Sequence, residues 1–299
     1  MAYGTNAPFG ARPLNSIAGG SWTEKVNEYE IYASADGLTT YGSSIFTGDF
    51  VQWGTSIAAT PATNGAVGTI ALYNPGFADG AGTSAFSTVP VLGIFMGCRY
   101  TAANAVSSTP VQVSPYWPQS TQVKAGTKII AYILDDPNVL LDIQVSTHIN
   151  AAGNPPEFVA FPAFPNFNPT GGAPFIYTGS FGRNFGVNVG GGTNFNTVPT
   201  PTNTVANPSF YTNNPASGST ITGQSGMYLD VDTSTVTYNN HDYAKNVTTL
   251  PLKPIFYTKN PLNVADTTGN ITLTPFLNVT CIINNHVYAK GSTPPIYVA

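Results

Sequence analysis

Closely spaced carboxylates are where chemistry would first be sought in this chain. Paired acids can share a proton, flank a glycosidic bond or gather the roughly six to eight oxygens that Ca²⁺ takes. Two pairs stand out, Asp135 with Asp136 and Asp230 with Asp232. Asp135-Asp136-Pro137-Asn138 reads first as a turn, because proline presets φ and Asx side chains bond nearby backbone. A glycosidase would also want a tryptophan-rich cleft, and the chain has 3 Trp. The histidines, His148, His241 and His286, lack the spacing of a zinc site, and His286 reads as a satisfied polar residue in a turn. No nucleophile elbow, phosphate loop or dinucleotide fingerprint occurs. Gly190-Gly191-Gly192 has no strand-to-helix context to make it an anion cradle. Asn246, Asn270 and Asn278 begin glycosylation sequons that an Asn/Thr-rich chain produces by chance. The residues therefore predict no catalytic, cofactor or metal site. Cys98 and Cys281 read as two separate buried thiols, with a disulfide as the alternative.

The elements that would position any site are set by composition. Charged residues are 8% of the 299, against about 25% in ordinary globular domains. Exposed helices cover their wet face with Glu, Lys and Arg, which are scarce here. Thr, Asn, Ser and Gln must form the solvated surface, and these suit strands and turns. With 30 Gly, 25 Pro and 12% aromatics, the expected fold is all-β. It would consist of antiparallel sandwich or barrel modules with long Gly/Pro/Asn-rich loops or arms and very little helix. A net charge of −4 and the absence of any basic cluster argue against nucleic acid. No apolar run approaches the ~18 residues of a membrane helix, so no membrane partner is expected. The first residues lack the pattern of a signal peptide, which predicts synthesis in the cytosol without an export signal.

Three regions differ in texture. In 1–150, Tyr29–Ala33 alternates in the strand period, and Ser44–Val51 reads as strand, turn and strand. Val91–Tyr100 is a buried strand whose glycines signal a bulge or close backbone contact. Lys128–Leu134 and Val139–Val145 are two strands joined by the Asp135-Asp136-Pro137 turn. Region 151–222 is rich in Pro, Asn and Gly, and its Phe161, Phe164 and Phe167 alternate with proline, which favours extended backbone. So many aromatics read as an ordered arm or loop packing on another surface, with disorder as the alternative. Region 223–299 returns to strand pattern in Met227–Val231, Ile271–Thr274, Val279–Ile283 and Val287–Ala289.

Several of these segments together resemble a family of structural proteins encoded by tailed phages and prophages near the major capsid gene. They are Asn6–Gly10 through Pro13 to Trp22, Ser44–Asp49, Val91–Cys98, Pro115-Tyr116-Trp117-Pro118, Ala131–Val145 and Asn284–Tyr288. The likeness covers 1–150 and, more loosely, 223–299, and leaves 151–222 unmatched. It implies a non-enzymatic virion protein made in the host cytoplasm. The expected role is a capsid decoration or cement protein, a homotrimer seated on the major capsid protein at the capsid surface. Asp135, Asp136, Pro137, Phe161, Phe164 and Phe167 are the turn and interaction candidates. The alternative is a receptor- or glycan-binding head-fibre or tail adhesin using Trp53, Trp117 and tyrosines. The shell-forming capsid protein itself is a weaker reading, because no long helix is legible.

Overall fold

The computed structural model describes residues 9–20, 25–54, 61–73, 90–106, 110–144, 186–188, 221–230, 252–258, 278–283 and 286–288. Within them the chain is all-β, as its composition dictates, and the helix is the four-residue α1 (Pro61–Asn64). None of the described helices is long and apolar enough to cross a membrane.

Strands β2 (Asn27–Ile31), β4 (Phe50–Trp53), β5 (Ile70–Leu72), β6 (Gly93–Tyr100) and β9 (Ile129–Leu134) form a closed ring. The order is β4-β5-β2-β9-β6, and β6 returns to β4 through Phe50↔Ile94 and Val51↔Gly93. The β2–β5 contact is parallel, through Ile31↔Ile70. Closure leaves no unpaired edge among these five and places their alternating inward residues in one interior. That interior holds Ile31, Val51, Ile70, Phe95, Ile133 and Trp117, each at most 2% exposed. Trp117 lies on β8 (Tyr116–Trp117), which pairs with β3 (Ile45–Phe46), and its indole N–H donates to the Tyr41 carbonyl. A buried Trp N–H needs such a partner. The glycines of β6 meet their expectation. The register shifts between Phe95 and Gly97, and a Cβ on Gly93 would lie 2.3 Å from the Leu134 carbonyl oxygen.

The second layer is a four-stranded antiparallel sheet. Its strands are β1 (Arg12–Ser16), β10 (Val139–Gln144), β14 (Asn278–Ile283) and β13 (Leu252–Tyr257), ordered β1-β10-β14-β13. Its core joins Val139, Leu141, Ile143, Leu252 and Val279 to Phe50 and Ile94 of the barrel, so the layers share a hydrophobic seam. The two prolines of this sheet, Pro13 and Pro254, stand in its outer strands, where a missing N–H costs least, and the register shifts beside each. The Asp135–Asn138 turn is not a hairpin loop: β9 belongs to the barrel and β10 to the second sheet, so the turn carries the chain from one layer to the other. A short ladder joins β11 (Gly186–Asn188) to β12 (Tyr228–Asp230), which gives the region expected to be an arm at least one strand. Completing the set, β7 (Gln112–Ser114) pairs with β6 at the outer side of the barrel sheet.

Candidate functional site

At the base of β2 the chain builds a polar cleft of about 730 Å³, lined by Lys25, Asn27, Glu28, Tyr29, Asp135, Asp136 and Tyr288. Strand β2 is antiparallel to β9, with Asn27 opposite Ile133, and this register brings Asn27 and Tyr29 to the start of the layer-crossing turn. Asp135 accepts hydrogen bonds from Asn27 Nδ2, 2.9 Å from each carboxyl oxygen, and from the Tyr29 hydroxyl. Since Tyr29 has one proton and gives it to Asp135, the hydroxyl of Tyr288, 3.1 Å away, donates to Tyr29. Burial first, and then the Asp135 carboxylate, push the Tyr29 phenol far above its ordinary range, so it stays a donor and is no base.

Asp136 faces a different task. Its Oδ1 accepts from the Asn138 backbone N–H at 2.9 Å and from Asn138 Nδ2, an Asx turn before β10. The two adjacent acids are thus claimed separately, one by β2 and one by its own turn. Among the described residues no group of three or more His, Cys, Asp or Glu converges as a metal site. Pro137 follows the two acids in the turn, ahead of Asn138. Phe161, Phe164, Phe167, Asp232, His148 and His241 lie outside the described residues, as do Gly190-Gly191-Gly192 and Ile271–Thr274.

Two expectations change, those for His286 and for the strand after it. His286, expected as a satisfied polar residue in a turn, is fully buried with one ring nitrogen unpartnered among the described residues, and its segment makes a parallel bridge to Val91. Its Nδ1 accepts from the Tyr288 N–H at 3.0 Å, while the buried Nε2 has no hydrogen-bond partner among them. Burial lowers the imidazole to about 4 despite the nearby Asp135 and Asp136 carboxylates. Val287 and Tyr288 follow as a turn rather than a strand. Trp117 is sealed in the barrel and unavailable to a glycan, whereas half-buried Trp53 stands edge-on to Tyr29 at 5.4 Å. Asn278, the head of one sequon, is buried in β14. Cys98 and Cys281 are both free and buried, as separate thiols were expected to be.

A second constellation centres on the end of the Ser44–Asp49 segment. Asp49, just beyond the β3 strand, is 1% exposed. Its Oδ2 accepts the Phe46 N–H at 2.7 Å, and its Oδ1 is bonded by the Ser225 hydroxyl. Gly48 makes the close turn possible: φ is +97°, and a Cβ would meet the Phe9 carbonyl oxygen at 2.9 Å. The signal was present as Gly48-Asp49 between two apolar pairs, but nothing in the sequence named Ser225 as its partner.

A third feature is the outer strand β7. Val111 and Val113 are 55% and 78% exposed, with Val106 nearby in sequence at 64%. No other described strand pairs with β7 on its far side. By contrast, the barrel face around β2 carries ion pairs, Arg99 with Glu28 at 3.0 Å and Lys128 with Glu30.

No family model, curated protein or solved structure matches this chain.

Proposed function

We propose that this chain is a non-enzymatic structural protein of a tailed-phage particle, a cement protein that seats on the outside of the head as a homotrimer and stabilises contacts between major capsid subunits. The observation that carries the reading is the β7 edge, whose outer side no described strand pairs and whose valines are exposed, in a chain with few charges to keep partners away. Backbone pairing at such an edge gives affinity while alternate side chains give selectivity. Repeated over a symmetric shell, modest contacts add to strong retention through avidity. The motifs resembling phage structural proteins support the same reading. The purified protein is expected to co-sediment with expanded capsids and to give external density at symmetry-related junctions in electron cryomicroscopy. Failure to bind expanded capsids, together with absence from the particle, would sink the proposal.

A second reading, a glycan-binding adhesin, is favoured by one observation. The cleft sets Tyr288, 54% exposed, beside an oriented carboxylate and an amide, the groups that bind sugar hydroxyls. A glycan array with wild-type protein and Tyr288→Ala separates the readings, since a cement protein predicts no signal from either.

A further inference from the structure

Three stretches far apart in the chain meet around Asp49. The Gly10 N–H donates to the Met227 carbonyl at 3.0 Å and the Ala11 N–H to the Gly48 carbonyl at 2.9 Å. The Thr47 N–H donates to the Gly223 carbonyl, and the Ser225 N–H returns to the Thr47 carbonyl, both at 2.9 Å. Gln224 Nε2 bonds the carbonyls of both Phe9 and Thr47. Ser225 is 1% exposed, and its hydroxyl accepts the Met227 N–H at 2.9 Å while bonding Asp49 Oδ1. The segment 223–227 is therefore held against the body by backbone and amide bonds, and its buried Ser225 hydroxyl adds a bond to the Asp49 carboxyl.

Among the described residues no cation balances that carboxyl. Neither described ion pair involves it. From its own strand pair it meets the Phe46 N–H, and from β6 the Phe95 N–H donates to its backbone carbonyl. Arg12, on the neighbouring β1, is committed elsewhere, stacked 3.7 Å over the Phe9 ring and attracted to Asp142. The titratable group coupled to Asp49 is Tyr41, whose hydroxyl accepts the Leu72 N–H and which burial keeps protonated, pushed up to about 12. A charge in such a place is tolerated poorly without a partner.

We infer that Asp49 is a proton-controlled latch: protonated, it clamps segment 223–227 onto the turn between β3 and β4, and ionised, it loosens that segment from the body. Burial raises the carboxyl to about 7, which puts the transition near neutrality. Because the folded chain holds this proton more tightly than the unfolded chain, the latch is fully closed at low pH and weakens as pH rises toward and through that value.

Two measurements on the full chain test this. The ¹³C carboxyl resonance of Asp49 should titrate well above the ordinary carboxylate range; a midpoint below about 5 overturns the latch. Hydrogen exchange, corrected for base catalysis, should show protection at Ser225 and Met227 falling about tenfold between about pH 6 and about pH 8, while Ile130 and Tyr132 in β9 hold theirs. In Asp49→Asn, whose amide can still accept from Phe46 and donate to Ser225, that pH dependence should vanish. An unchanged profile in the variant, or a uniform loss across β9 in the wild type, also overturns it.

Discussion

Two buried groups set opposite pH dependences, and each can be read from one substitution. Asp49 keeps its proton up to about 7 in the folded chain, so it favours folding at low pH and its contribution falls as pH rises. His286 is held neutral down to about 4, so the folded chain binds fewer protons there; its contribution is complete above the ordinary imidazole value and lost as pH falls through 4. Relative to wild type, Asp49→Asn is therefore expected to gain stability steadily from about pH 4 to about pH 7, by up to roughly 1.4 kcal/mol per unit. His286→Asn should lose its handicap, or gain, toward the acid end. Thermal unfolding across this range checks both, and parallel curves would contradict both assignments. Asp49→Ala is a different lesion, because it orphans the buried Phe46 N–H and Ser225 hydroxyl, and about 3 kcal/mol of destabilisation at pH 6 is expected in urea titrations. Tyr29→Phe removes one donor and one acceptor from the cleft at a half-buried site, so its cost should be about 1 kcal/mol.

At the scale of elements, the β7 edge offers the cleanest separation of stability from assembly. Val113→Lys places a charge on an exposed strand that has one described neighbour, so unfolding should shift by no more than about 0.5 kcal/mol. Binding to capsids, measured by sedimentation, should nevertheless drop sharply; unchanged binding would remove β7 from the interface. How much of such an element is legible beforehand depends on what hides it. The strands β6, β9, β10 and β14 declare themselves through runs of Ile, Val and Leu, and the Asp135–Asn138 turn through its proline and Asx pair. Strands β1 and β13 do not, because Pro13 and Pro254 read as breaks, and only their outer position in the sheet explains why proline is tolerated there. Nor does sequence adjacency reveal that β9 and β10 part company into separate layers. The cleft follows the same logic: Asp135 and Asp136 are visible as a pair, but Asn27, Tyr29 and Tyr288 reach them only through the β2–β9 register and a bridge to Val91. The segment ending at Asp49 is legible, but the role of its carboxyl is not, because the partner Ser225 lies 176 residues away.

On the scale of the molecule, the second sheet is assembled from the beginning and the end of the chain. Removing residues 252–299 would strip β13 and β14 from β10 and take Leu252, Val279, Cys281 and Ile283 out of the shared core. Loss of four buried apolar side chains exceeds the margin of an ordinary fold, so this truncation is expected to be insoluble, as a sedimentation assay of lysate would show. A well-folded, soluble fragment would mean that the barrel stands alone. The same connectivity has a consequence in time. Among the described strands, β10 leaves the ribosome with β1 as the neighbour already made, yet all six of its residues are destined for burial, and β14 follows only after more than a hundred further residues. At roughly 5–20 residues per second, that is on the order of ten seconds in which a bare apolar edge protrudes from each nascent chain. On crowded polysomes, neighbouring copies present the same edge to one another, so the yield of native protein is expected to depend on translation speed and chaperone supply.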